Sequence, residues 1–239
     1  MTTLILLRHG RSSANTSGVL AGRSAGVHLD DTGKGQAWAL AQRLKIVPLT
    51  AVVTSPLERC QQTIEPLLAG RELTAQIEPE LAEVDYGDWT GREIKNLTKE
   101  SLWRVVQQHP SAAVFPGGEG LAAMQARAVA AIRRRDAELT SEHGSRAVWL
   151  VCSHGDVIKG ILADALGLHL DSFQRIMVDP CSISVVHYTE TRPFVSRVND
   201  IGGDVSGLVP PPVKKGRRRR APTPSSDAVI GGGAGSTTV

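Results

Sequence analysis

The sequence predicts an α/β fold, a three-layer sandwich with a mostly parallel central sheet. Three observations predict it. Short apolar, β-prone runs at residues 3–7, 50–54 and 147–152 lack polar alternation, as strands covered on both faces do. Segments whose apolar residues recur at helical spacing lie between them. Each run also delivers polar, chemistry-capable residues at its carboxyl end, where open α/β sheets place their ligands.

Taken in order, the first strand covers residues 3–7 and runs straight into Arg8 and His9. A helix is predicted at 33–44, and a second strand at 50–54 that stops at Ser55-Pro56, with proline suited to the first turn of the next helix at 57–68. Helical patterns follow at 91–107 and 119–139. In the second of these, Leu121, Met124, Ala128 and Ile132 form one face, and Arg133, Arg134 and Arg135 read as a solvated face opposite. The strand at 147–152 stops at Ser153-His154-Gly155 and precedes a helix at 157–166. Residues 182–188 and 194–198 are late strands, the last forming an edge hairpin.

The chain has 239 residues, 41% of them hydrophobic, enough for one domain over 1–201. Beyond Ile201 the composition turns to Gly, Pro, Ser and Arg, and burial cannot offset the ordering entropy, so 202–239 is expected to be a disordered tail. That tail holds six basic and two acidic residues, a net +4 against +3 for the whole chain, which leaves the body at −1. The basic character therefore belongs to the tail. Its cluster at 214–220 could contact an anionic partner, nucleic acid or a membrane surface, although such clusters more often only solubilise. Cys60, Cys152 and Cys181 form no CxxC pair, which argues against a disulfide framework or a zinc site. No secretory signal precedes residue 8, and no apolar run reaches membrane-spanning length, so a cytoplasmic protein without membrane insertion is expected.

Four stretches carry chemistry. Leu7-Arg8-His9-Gly10-Arg11-Ser12, with Asn15 beyond it, offers a neutral imidazole as phosphate acceptor, a guanidinium fork for phosphate oxygens, and a glycine that lets phosphate approach the backbone. Ser55-Pro56-Leu57-Glu58-Arg59 puts a guanidinium at a helix amino terminus; alone it reads equally as a surface arginine paired with a carboxylate. Glu83, in Glu83-Val84-Asp85-Tyr86-Gly87-Asp88-Trp89-Thr90-Gly91, could protonate a leaving alkoxide if burial or a nearby phosphate raises its pKa; alone it reads as a solvated glutamate. Ser153-His154-Gly155-Asp156 offers a second imidazole, expected to be protonated beside the transferring group. His28, His109, His143, His169 and His187 lack such context and receive no role. Neither a GxxxxGK[ST] pattern nor a Cys-x5-Arg signature is present.

Together these stretches resemble the histidine phosphatase superfamily, also called the phosphoglycerate mutase-like family, over about residues 1–200. The resemblance implies that fold, phosphohistidine formation at His9, Arg8 and Arg59 as phosphate clamps, Glu83 as proton donor and His154 as the second histidine. It also implies phosphate contact by Asn15 and substrate approach by the loop of Gly22. Pro116-Gly117-Gly118-Glu119 resembles a helix-opening loop at the pocket rim, or is only a turn and helix start. In the mutases, Arg and His follow the proton donor, whereas here Val84 and Asp85 do, and Tyr86 to Gly91 resemble the phosphatase branch. Residues Gly26-Val27-His28-Leu29 also depart from the family, which more often shows an acidic residue and a proline there. The expectation is a phosphomonoester hydrolase acting on a small phosphorylated metabolite without cofactor; the alternative is a cofactor-dependent phosphoglycerate mutase, which needs a bisphosphoglycerate primer, or another phosphomutase. Exposed late strands would permit a homodimer.

Overall fold

A computed structural model describes residues 1–203 together with Gly231 and Gly233. The expected disordered, anion-binding tail otherwise lies outside the described residues. Six strands form one sheet: β1 (Thr2–Arg8), β2 (Ala51–Thr54), β3 (Ala75–Ile77), β4 (Val148–Ser153), β5 (Ile183–Tyr188) and β6 (Pro193–Asp200). Their order is β3-β2-β4-β1-β5-β6. The first four are parallel, and β5 with β6 closes one side as an antiparallel hairpin with β6 at the edge.

The side-chain period of two explains why the central strands are apolar throughout. Leu4 and Leu6 of β1 and Trp149 and Val151 of β4 enter one core, while Ile5, Leu7, Leu150 and Cys152 enter the other. Helices α2 (Asp31–Arg43) and α3 (Glu58–Leu68) cover the second core with Leu40, Ala41, Cys60, Ile64 and Leu67. Helices α6 (Leu121–His143) and α7 (Gly155–Ala165) cover the first with Met124, Ala128, Ile132, Ile158, Ile161 and Leu162. This is the predicted three-layer arrangement.

Three sequence expectations change. The helix predicted at 91–107 is split into α4 (Ile94–Leu97) and α5 (Ser101–Gln108), because two helical turns share a corner around Thr98 and Lys99. Short helix α1 (Ser13–Ser17) and edge strand β3 have too few apolar residues to show in the pattern. The arginine run on α6 is not simply a solvated face: Arg134 and Arg135 reach buried Glu78 at 2.7 and 3.2 Å, and Arg133 meets Asp164 at 2.9 Å.

Candidate active site

The ends of β1 and β4 lie side by side, with Arg8 in register with Ser153, so the two strands deliver His9 and His154 to one place. The imidazole centroids stand 5.2 Å apart. The end of β2 adds Ser55 and then α3, whose first turn carries Arg59; the loop before α4 adds Glu83. Arg8, His9, Arg59, Glu83 and His154 are each no more than 4% exposed. The structure therefore brings together all five residues singled out from the sequence, with Asn15 and Gly22 on the wall of the same cleft.

Hydrogen bonds fix the tautomers. His9 Nδ1 lies 2.7 Å from the Gly10 carbonyl, which accepts, so Nδ1 carries the proton and Nε2 keeps its lone pair. Arg59 Nε lies 3.3 Å from that Nε2. Burial first, then the charges of Arg59 and Arg8, push the His9 pKa well below the ordinary imidazole value. The ring is a neutral base near pH 7.

His154 is held on both ring nitrogens. Arg59 Nη2 donates to its Nδ1 at 3.1 Å, and Nε2 lies 2.8 Å from the Ser55 hydroxyl. Burial and the neighbouring Arg59 lower its pKa well below the ordinary value, so the protein groups alone keep this imidazole neutral rather than protonated.

Arg59 is held by the Gly22 carbonyl, which accepts from Nη2 at 2.8 Å, while Nη1 has no hydrogen-bond partner among the described residues. A buried guanidinium N–H without an acceptor is a donor waiting for an anion's oxygen. Gly22 has φ +51°, and a Cβ there would meet the Thr90 hydroxyl at 2.9 Å, so the loop closes on Arg59 only with glycine. Gly10 also packs closely: its missing side chain lets it approach the Gly33 carbonyl, 2.8 Å from where a Cβ would stand. Arg8 Nη1 donates to the Val178 carbonyl at 2.8 Å, and burial lowers its pKa to about 10, still charged at neutral pH.

Glu83 is the one carboxyl in this group. Its Oε1 accepts from the Val84 N–H at 2.9 Å. Burial, then the charge of Asp156, raise its pKa to about 7, against the opposing pull of Arg59. Asn15 Oδ1 accepts from the Ser12 N–H and hydroxyl at 3.0 and 2.9 Å, which leaves its NH2 group as the donor for a ligand. Glu119 acts as a brace: it accepts from Arg127, Arg23 and the Asp85 N–H, tying α6 to the Glu83 loop.

Sequence reasoning missed Ser55, Thr63, Tyr86 and Asp156. Thr63 accepts from the Gly10 N–H at 2.9 Å, and buried Tyr86 donates to Asp156 Oδ2 at 2.8 Å. Their partners lie 53 and 70 positions away, which no local pattern reveals. The amino termini of α3 and α7 both open at the site without a side-chain cap, leaving backbone N–H groups and the positive end of each helix to an anion.

Comparison with known proteins decides the family. The model of the histidine phosphatase superfamily, branch 1, matches residues 4–201. The chain belongs to that superfamily. Phosphoserine phosphatase 1 of Hydrogenobacter thermophilus is 31% identical over 83% of this chain and 92% of its own. A protein named Probable phosphoglycerate mutase GpmB from Cronobacter sakazakii is 32% identical over 88% of this chain and 97% of its own. The adenosylcobalamin/alpha-ribazole phosphatase of Salmonella typhimurium is 32% identical over 78% and 91%. The crystal structure of a putative alpha-ribazole-5'-P phosphatase from Escherichia coli superposes with a TM-score of 0.72 at 29% identity, over 85% of this chain and 99% of that one. Histidine phosphatases act through a phosphohistidine on phosphorylated substrates, and this chain is a phosphomonoester hydrolase of that kind. No helix among the described residues is long and apolar enough to cross a membrane.

Proposed function

We propose that the enzyme hydrolyses the phosphomonoester of a small alcohol that carries no second anionic group near the ester. The observation behind the chemistry is the His9 tautomer: Nδ1–H tied to the Gly10 carbonyl and Nε2 beside Arg59. In the first step His9 Nε2 attacks phosphorus, the P–N bond forms as the P–O bond breaks, and protonated Glu83 gives its proton to the departing oxygen. In the second, water attacks the phosphohistidine, Glu83 as carboxylate takes the water's proton, and the P–N electron pair returns to Nε2 as phosphate leaves. Arg8, the Arg59 Nη1 donor and the Asn15 NH2 hold the phosphoryl oxygens, so the charge is met without a metal or other cofactor. A dianionic phosphoryl group raises the pKa of neutral His154, which then becomes a further donor as charge develops.

The substrate class rests on the cleft wall. Beyond the phosphoryl position it is lined by Val19, Leu20, Ala21 and Ile94. Arg23, the nearby cation on the rim, is committed to Glu119 at 2.9 Å and the Glu83 carbonyl at 2.8 Å. Phosphoserine and phosphoglycerate both carry a carboxylate, for which this wall offers no uncommitted cation among the described residues. The lining therefore favours a neutral, partly apolar alcohol and disfavours mutase chemistry. A panel of phosphate esters assayed for inorganic phosphate tests this. Neutral esters should show the highest kcat/KM, and a preference for 3-phosphoglycerate or bisphosphate-dependent isomerisation would overturn the reading.

A further inference from the structure

The cleft contains a piece of this chain that no role has been given: Gly231 and Gly233. Arg8 Nη2 donates to the Gly231 carbonyl at 3.3 Å and to the Gly233 carbonyl at 2.5 Å. The Gly231 N–H donates to Asp156 Oδ2 at 3.0 Å, on the same oxygen that Tyr86 engages. Both glycines line the cleft together with His9, Arg59 and Glu83. With them in place the cleft holds about 30 Å³ of free space beside Arg59 and Glu83.

We infer that Gly231 and Gly233 act as an internal competitor of the substrate, presenting two carbonyl oxygens to the guanidinium that a phosphate would occupy. The inference rests on the phosphatase reading of the site. Chemistry explains both the fit and its weakness. A carbonyl oxygen carries only partial negative charge, so its bonds to a guanidinium are weaker than those of a phosphate dianion, and the substrate displaces the segment instead of being shut out. The contact favours glycine. Gly231 and Gly233 have φ of +70° and +54°, and a Cβ on Gly231 would stand 3.2 Å from Leu20 Cδ1.

The arithmetic of such a competitor is simple: apparent affinity falls by the fraction of molecules whose site is open. If the segment occupies most sites, freeing them should strengthen anion binding about 3- to 10-fold. The test is made on the full chain with Gly231→Pro/Gly233→Pro, which fixes φ near −65° at both positions and removes the N–H that meets Asp156. Orthovanadate affinity is measured by calorimetry, which needs no turnover. The variant should bind it about 3- to 10-fold tighter, with KM for an ester lowered by the same factor and kcat unchanged. Equal orthovanadate affinity in the two chains would overturn the inference. Tighter binding in the variant with no ester hydrolysed by either chain would overturn the proposed function and leave this inference standing.

Discussion

Glu78 and Glu83 sit on one connection, each 4% exposed, and the protein uses them in opposite ways. Glu78 accepts from Arg134 and Arg135 on α6, and although burial opposes ionisation, these partners hold its carboxyl below the ordinary range. The Glu83 carboxyl has one hydrogen bond among the described residues, from its neighbour's N–H, and sits near the charge of Asp156, so its pKa rises to about 7. A buried carboxylate whose partners match it is structure; one left short of partners is a poised proton donor. The same contrast divides the arginines. Arg134 and Arg135 are spent on a carboxylate, whereas Arg59 keeps a buried Nη1 without an acceptor.

The largest effects should separate the two regions by activity. Glu83→Gln should lower kcat about 10²- to 10⁴-fold with the fold intact. Glu78→Gln should leave kcat within about 2-fold while lowering stability by about 1–3 kcal/mol, read by urea unfolding. If both variants lost turnover equally, the contrast would fail.

A smaller but more diagnostic effect lies in pH. His9, depressed well below the imidazole range, stays neutral through neutrality, so kcat/KM should fall as pH rises through about 7, where Glu83 loses its proton. Glu83→Gln should abolish that alkaline limb. Stability should move in opposite directions for the two carboxyls. The folded chain keeps the Glu83 proton that the unfolded chain releases, so between 4.5 and about 7 this group makes stability fall as pH rises. Glu78 does the reverse: its contribution is present above the ordinary carboxyl pKa and is lost as pH falls through its depressed value. Melting temperatures of wild type, Glu78→Gln and Glu83→Gln read both signs when measured from below the depressed Glu78 value to above about 7.

The smallest effect belongs to the rim of the structural cluster. Arg134→Ala, whose side chain is 48% exposed, should cost less than about 1 kcal/mol because Arg135 still meets Glu78.

Much of this was legible in the sequence because chemistry and strand ends coincide. Residues 3–7 and 147–152 are apolar without interruption since both faces are buried, and the polar residues that follow fall at the sheet's carboxyl edge. His9, Arg59, Glu83 and His154 could be named from such local context. What local context does not carry is who faces whom. The neutral state of His154 depends on burial and on Arg59, 95 positions away. The arginine run looked solvated because Glu78, its partner, lies 56 residues before Arg134. Likewise, the Arg8 contact with Gly233 spans 225 positions, and nothing in a glycine run announces a guanidinium partner.

The mechanism turns on which nitrogen of His9 takes the phosphoryl group. Rapid quenching of the enzyme with a labelled ester, followed by ³¹P NMR and peptide mapping under alkaline conditions, should place the phosphate on Nε2 of His9, since Nδ1 is committed to the Gly10 carbonyl. Phosphate on Nδ1, on His154 or on any other side chain would contradict it.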